Sequence, residues 1–404
     1  MAQIIDTLAE PLLTLAGEQV IVADTVTTAT YAAAGVTNQS IYVVELWSPQ
    51  GEQIADLSPY LRSRHFKVTR NRPEAIEMSF DLGQMEALVA SLGTSVPAFF
   101  GPGYNEIRVR RGDRYLVGAQ VSYLLPSIDG SRRSLDVRAV GFLELLKDRY
   151  IYPTDGTALG LTYTATDIGQ VMWNFINLTQ SRPNGSFGIT QGTIQTSRLV
   201  GETWKPFGLN IRDLLIGITK WQNSVDFAFS ADKVFSVSYP LGQDKTELRF
   251  ALPGNIKSLR LPVDASQLAT LVFARGSGNG SDQQLMQTWP ASLSTTTPEQ
   301  QVYKLREVIN DYASFNTAQP LTDRAQEEYR KYATPTVIPE IVLDGNQEPF
   351  LGAYWLGDRV PISIDANQGS AFAALDGQMW RINEIDVTID ENDSETISLK
   401  VGLY

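Results

Sequence analysis

The chain lacks cysteine altogether, holds a single histidine, and contains no apolar run of the roughly 18 residues a membrane-spanning helix needs. The first absence removes disulfides, thiolate metal ligands and cysteine nucleophiles. With His65 as the sole imidazole, a multi-histidine metal site cannot form, and any Ser/His/Asp triad would have to use that residue. His65 sits in the basic, strand-like run Arg62-Ser63-Arg64-His65-Phe66-Lys67, which favours a structural role. Positive charge is missing from residues 1–61, which carry Asp6, Glu10, Glu18, Asp24, Glu45, Glu52 and Asp56. A secretory leader needs Lys or Arg ahead of its apolar stretch, so no export signal is expected and synthesis is assigned to the cytoplasm.

Present instead is an ordinary globular composition: 43% hydrophobic and 19% charged residues over 404 positions, enough for two to four compact units. The net charge of −12 is uneven. From Glu340 to Tyr404 twelve acids face Arg359, Arg381 and Lys400, so the middle of the chain must be net basic. A nucleic-acid binder would concentrate its Lys and Arg, and this pattern argues against one. It suits a surface that DNA passes without adhering, through like-charge repulsion from the acidic ends.

Hydropathy patterning divides the chain. Residues 1–40 read as an N-terminal arm: Ile4, Ile5, Leu8, Leu12 and Leu13 are broken by Pro11, then a Thr/Ala-rich tract follows. Residues 41–150 alternate at period two in Ile41–Trp47, Phe66–Thr69, Ile76–Phe80, Ile107–Arg110, Tyr115–Val117, Ala119–Leu125 and Ser134–Val140. A short helix is expected over Gln84–Leu92 and another over Phe142–Leu146. Residues 151–255 turn α+β, with helical spacing of Ile168, Val171, Met172, Phe175 and Ile176 and of Ile211, Leu214, Leu215 and Ile218. Asn210 is placed to cap the second helix, and Val225–Phe229 with Val234–Val237 to form a hairpin. Residues 256–404 resume strands around a polar insertion, Gly276–Glu299, and a helix bearing Leu321, Ala325, Tyr329 and Tyr332. The fold class is therefore mainly β with α+β insertions.

The first and last regions share a pattern. Gly112-Asp113-Arg114 precedes a strand pair ending in Ser134–Phe142, and Gly357-Asp358-Arg359 precedes one ending in Thr396–Tyr404. This points to a duplication, in which the helices at Gln84–Leu92 and Leu321–Tyr332 would pack in equivalent places.

Five motifs in order carry a family resemblance: Val43–Leu46 through Gly51–Leu57, Asn71-Arg72-Pro73, Leu116-Val117-Gly118, Ala139–Leu146, and Trp355–Val360. Over residues 41–404 the chain resembles the tail-tip hub family of long-tailed bacteriophages, the minor tail proteins related to baseplate hubs. The resemblance implies two tube-like β-barrel domains, 41–150 and 256–404, separated by the smaller α+β domain. It also implies a homotrimer offering six barrels to a hexameric ring. Expected partners are a distal tail ring, a tape measure protein and tip or fibre proteins, with genome DNA passing through; the location is the virion tail tip. Because the sequence stops at the second barrel, a wall-degrading activity is not expected.

Other motifs reduce to local structure. Arg111-Gly112-Asp113 reads as a hairpin turn, Gly276–Ser281 lacks the last glycine of a dinucleotide fingerprint, and Asp390–Glu395 lacks the glycine and final glutamate of a calcium loop. The Asn-x-Ser/Thr triplets at Asn177, Asn184 and Asn279 are incidental without export. No catalytic, cofactor-binding or metal residue is assigned, no cofactor is expected, and the chain reads as a non-enzyme. The alternative is a host-surface, glycan-binding baseplate or distal tail protein; a glycoside hydrolase would need a carboxylate pair that nothing in the sequence locates.

Overall fold

The structure, a computed structural model, describes residues 42–152, 160–201, 203–204, 208–220, 225–276, 286–294, 296–312, 318–373, 375–392 and 394–402. The arm expected over residues 1–40 lies outside these. Residues 42–404 form one compact unit.

Its first part is β1 (Tyr42–Trp47), β2 (Gln53–Asp56), β3 (Leu61–Thr69), β4 (Ala75–Asp81), β5 (Glu106–Arg111), β6 (Arg114–Asp129) and β7 (Arg132–Gly141). Period-two alternation decides the faces: Ile76, Met78 and Phe80 of β4 are buried, while Glu77 and Ser79 point away. Helix α1 (Leu82–Ser91) starts where the Asp81 carboxylate accepts the Gln84 N–H at 3.0 Å. It buries Leu82, Met85 and Val89 against β4 and β7, each such side chain contributing about 1.5–3 kcal/mol. A one-turn helix, α2 (Val96–Phe100), adds Phe99 and Phe100 to the same core. The strand break expected at Gly118 does not occur, because β6 runs unbroken through it. Glycine is required there for close approach: a Cβ would fall 2.6 Å from the Ala231 carbonyl oxygen.

The middle region has its own core. Helices α3 (Ile168–Gln180) and α4 (Ile211–Ile218) pack with the hairpin β8 (Asp226–Phe229) and β9 (Val234–Ser238) around Val171, Phe175, Leu215, Phe227 and Phe235. Asn210 caps α4 as its sequence implied, accepting the Asp213 N–H at 2.9 Å. The expected helix at Phe142–Leu146 is a 3-10 turn whose Leu143 and Leu146 join this core.

The last part holds β10 (Phe250–Leu252), β11 (Ile256–Arg260), β12 (Val263–Asp264), β13 (Leu271–Arg275), β14 (Met286–Trp289), helix α5 (Pro298–Tyr303), β15 (Glu307–Asp311) and helix α6 (Ala318–Tyr332). Beyond these come β16 (Thr336–Val337), β17 (Glu340–Asp344), β18 (Arg359–Ile364), β19 (Met379–Ile389) and β20 (Glu395–Gly402). The polar insertion thus contains a strand, β14, and begins a helix, α5. Strands β13–β15 make a separate three-stranded sheet, and α6 packs on it through Leu321 and Ala325. Helices α1 and α6 are therefore not equivalent: α1 covers the large sheet, α6 a small sheet of its own.

Apart from the β8–β9 hairpin and the short pair β12–β16, the remaining strands form one mainly antiparallel sheet in the order β11-β17-β20-β19-β3-β4-β7-β6-β5-β1-β2, with β18 against β19 and β10 against β18. The first and last parts are thus separated in sequence by the α+β region but joined edge to edge in space through β3 and β19. Among the described residues the ladder does not close on itself, and β2 and β11 are its ends.

The duplication is real at the level of pairing. The order β1-β5-β6-β7-β4-β3 recurs as β10-β18-β19-β20-β17-β11, with the same chain sequence of strands. The outermost pair differs in sense: β1 is antiparallel to β5 whereas β10 is parallel to β18. Two irregularities recur in place. One residue is extra between Val121 and Tyr123 of β6 and between Ile382 and Glu384 of β19. Another is extra between Leu61 and Ser63 of β3 and between Ile256 and Ser258 of β11. The extra residues of the second pair, Arg62 and Lys257, bind equivalent acids, Asp81 and Asp344. Gly112-Asp113-Arg114 and Gly357-Asp358-Arg359 do not correspond, since the first joins β5 to β6 and the second precedes β18, the counterpart of β5. The small sheet with α6 stands where the first half has only the turn Arg70–Glu74: β12 and β16 continue the β11–β17 ladder past Pro262 and Pro339 and lead into it.

Candidate functional site

The polar face of the large sheet carries charge across the junction of its halves. Alternation puts Glu77, His65, Lys67, Asp386, Glu384, Arg138 and Lys400 on this face, opposite the buried Ile76, Phe66, Val68, Val387 and Ile385. Register then brings them together: Lys67 stands beside Asp386, and His65 beside Thr388 on one side and Glu77 on the other. His65 Nε2 lies 2.8 Å from Asp386 Oδ1, and Nδ1 lies 3.8 Å from Glu77. Lys67 and Lys400 both reach Glu384, at 2.9 and 3.1 Å. The hydrogen bond to Asp386 raises the His65 pKa against the pull of burial, and the same bond lowers that of Asp386. Burial opposes ionisation of Glu384, yet its two lysines hold it below the usual range. The acidity of the C-terminal stretch is therefore countered here by Lys67 and Lys400, and by His65 when it is protonated.

Buried polar ties lock the parts together. Arg111 of β5 donates to Glu395 of β20 at 3.0 Å and to the Leu351 carbonyl at 2.9 Å, and the Tyr42 hydroxyl donates to Glu395 at 2.6 Å. Burial raises the Glu395 pKa even with Arg111 beside it. The middle region is held by Lys233, which binds Glu106, and by Arg108, which binds Asp232 and lies 4.2 Å over the Trp47 ring. Asn71, in the left-handed region at φ 58°, donates to Asp226 at 2.6 Å and accepts the Phe227 N–H at 2.9 Å. Arg70 and Arg381 flank the same Asp226, at 3.6 and 3.9 Å, so this carboxylate touches all three regions.

Beside it, a cleft lined by Arg70–Arg72, Glu74, Phe227–Phe229, Trp355 and Leu356 contains a half-buried acid. Glu74 Oε2 is inaccessible and has no hydrogen-bond partner among the described residues. Burial raises its pKa to about 7. Gly141 must be glycine to admit it, because a Cβ there would fall 1.8 Å from that oxygen.

The sequence assigns no site residues, and its sole histidine, His65, proves to be part of the ion-pair ladder. Asn71, within the Asn-Arg-Pro turn, and Gly118 belong to motifs already singled out, and both fasten the first half to the middle region. Arg111–Glu395 and Glu74 gave no local signal: the first pair is 284 positions apart, and the second meets Gly141 only through folding. Arg111-Gly112-Asp113 occupies the β5–β6 hairpin with Gly112 at φ 56°, and Asp390 accepts the Asn392 and Ser394 N–H groups at 2.9 Å in the β19–β20 turn. Residues 277–281 and Asp393 fall outside the described residues.

No family model matches this sequence, and no curated protein matches it. Solved structures do. Over 89% of its length the chain is similar to the prophage MuSo2 43 kDa tail protein of Shewanella oneidensis, covering 98% of that chain at 16% identity and a TM-score of 0.60. A tail protein of Neisseria meningitidis MC58 is similar over 89% of this chain and 96% of its own, at 12% identity and TM-score 0.55. The Listeria monocytogenes EGD-e prophage tail protein gp18 is similar over 89% and 94%, at 14% identity and TM-score 0.52. The chain has the fold of phage tail proteins.

Proposed function

We propose that this chain is a non-enzymatic structural hub of a phage tail tip, joining the tail tube and distal ring to the tip. In this reading residues 1–40 are an arm, 41–150 and 256–404 are two tube-like β-barrel domains, and 151–255 is the α+β domain between them. Three copies bring six related halves into a ring, which docks on a hexameric ring above and offers threefold symmetry below. The observation that carries the reading is the repeated strand order with both bulges in place, since two like halves per chain are what a trimer needs to match a sixfold partner. The tail-protein fold supports the location. Distal tail, tape measure and tip or fibre proteins are the partners, and DNA passes through. The ion-paired face suits that passage by balance: each lysine on it already has a carboxylate, leaving no stripe of bare cations for phosphates. Immunogold electron microscopy of particles carrying the chain tests the assignment. Label confined to the tail tip is expected, and label along the tail shaft or on the head contradicts it.

A further inference from the structure

Duplication makes the internal junction a template for a second one. At the β3–β19 junction, Arg64–Thr69 pair antiparallel with Glu384–Ile389. The counterpart of β19 is β6, and the shared bulge aligns Tyr123–Ile128 with Glu384–Ile389. The counterpart of β3 is β11 with its continuation β12, and their shared bulge aligns Leu259–Asp264 with Arg64–Thr69.

Among the described residues both counterpart edges are open. Strand β5 covers β6 no further than Gln120, and among the described residues no strand pairs with the far side of Ser122–Asp129 or with the outer side of β11. Exposure registers the missing neighbour. Ile389 is 0% exposed where its counterpart Ile128 is 71% exposed, and Val68 is 2% exposed where its counterpart Val263 is 63% exposed. Tyr123 and Leu125 on the first edge, and Val337 and Ile338 beside the second, are further large apolar side chains in solvent. Bare apolar edges of this kind are sites for strand addition.

We propose that the edge Tyr123–Ile128 of one copy pairs antiparallel with Leu259–Asp264 of a second copy, repeating between molecules the β3–β19 junction within each. The inference rests on the trimer reading above and gives it a register: Ser127 faces Arg260 of the next copy as Thr388 faces His65. Pro126 and Pro262 fall at adjacent pairs, which removes one ladder hydrogen bond and leaves the apolar contacts.

Because the chain has no cysteine, an engineered pair is the sole source of disulfide. The full-length double variant Ser127→Cys with Arg260→Cys, oxidised after assembly into particles, is expected to give covalent trimers of the 44.6 kDa chain on a denaturing gel. Ser127→Cys with Ser258→Cys, two residues out of register, is expected to give none, since diagonal neighbours about 7–8 Å apart are beyond disulfide reach. Trimers by light scattering or imaging without the in-register link overturn the edge pairing and leave the trimer reading standing; this is also the result if residues 1–41 of the same chain fill the edge. Covalent ladders longer than three chains keep the pairing and overturn the closed trimer. Hydrogen exchange on the unaltered chain supplies a second reading: amides of 122–129 and 259–264 should slow on assembly, and unchanged exchange in an assembled ring contradicts the proposal.

Discussion

Ile389 and Ile128 stand at equivalent positions of equivalent strands after equivalent bulges, yet the first is wholly buried and the second lies mostly in solvent. What separates them is a neighbour. Strand β3 covers β19, while nothing described covers the same stretch of β6. A duplicated sheet whose two halves join along one such edge leaves the other edge bare among the described residues, which thus carry both a finished junction and an unfinished one.

The sharpest way to break the finished arrangement is to remove a buried tie between the halves. Arg111→Ala strands the buried Glu395 carboxylate and is expected to cost about 3–5 kcal/mol in urea unfolding. A loss under about 1 kcal/mol would mean the halves do not depend on that pair. Next comes the direct comparison of junctions. Ile389→Ala should cost about 2–5 kcal/mol, as other buried Ile truncations do. Its counterpart Ile128→Ala should change the monomer by no more than about 0.5 kcal/mol. Equal costs would show that the two positions are not covered and uncovered versions of one site.

The turn that the second half replaces with an insert is probed by Glu74→Gln. Raised from 4.5 to about 7, the carboxyl stays protonated in the folded chain where the unfolded chain has lost its proton. Folding stability should therefore fall as pH rises between those two values, by roughly 3 kcal/mol in all. The Gln variant should lose this slope, as measured by urea midpoints from acid to neutral pH. His65→Asn should have the smallest effect, under about 1 kcal/mol, because the pair is partly exposed. The slope has the same sign as that of Glu74, since folding raises both pKa values: His65 stabilises fully below 6.5, and its contribution fades as pH rises through the folded pKa. Asp386, lowered from 3.8, contributes above its ordinary value and loses its effect as pH falls through the folded one. Stability that the Asn variant loses equally at acidic and alkaline pH would contradict an ionic role.

Much of this was legible in period and turn chemistry. Ile385, Val387 and Ile389 alternating into Ile397, Leu399 and Val401 announced the last hairpin, and Asn210 announced α4, because each signal is local. The duplication was visible only in its final strands. Its Gly-Asp-Arg part was a coincidence, since a three-residue turn motif fits any hairpin mouth or strand entry. The bulges could not be read at all: an extra residue shows itself through the partner strand's register. The helix pair misled for a related reason, as an apolar helical face says that something covers it without saying which sheet. The ion-pair ladder was hidden by distance along the chain, His65 and Asp386 being 321 positions apart.

The central claim is that two halves of one chain act as two like positions in a ring. It is tested most directly by reconstructing the assembled tail tip without imposed symmetry and counting copies. The account predicts three copies, with the β6 half and the β19 half alternating around a near-sixfold ring. Six copies, each presenting the same half to the ring above, would contradict it.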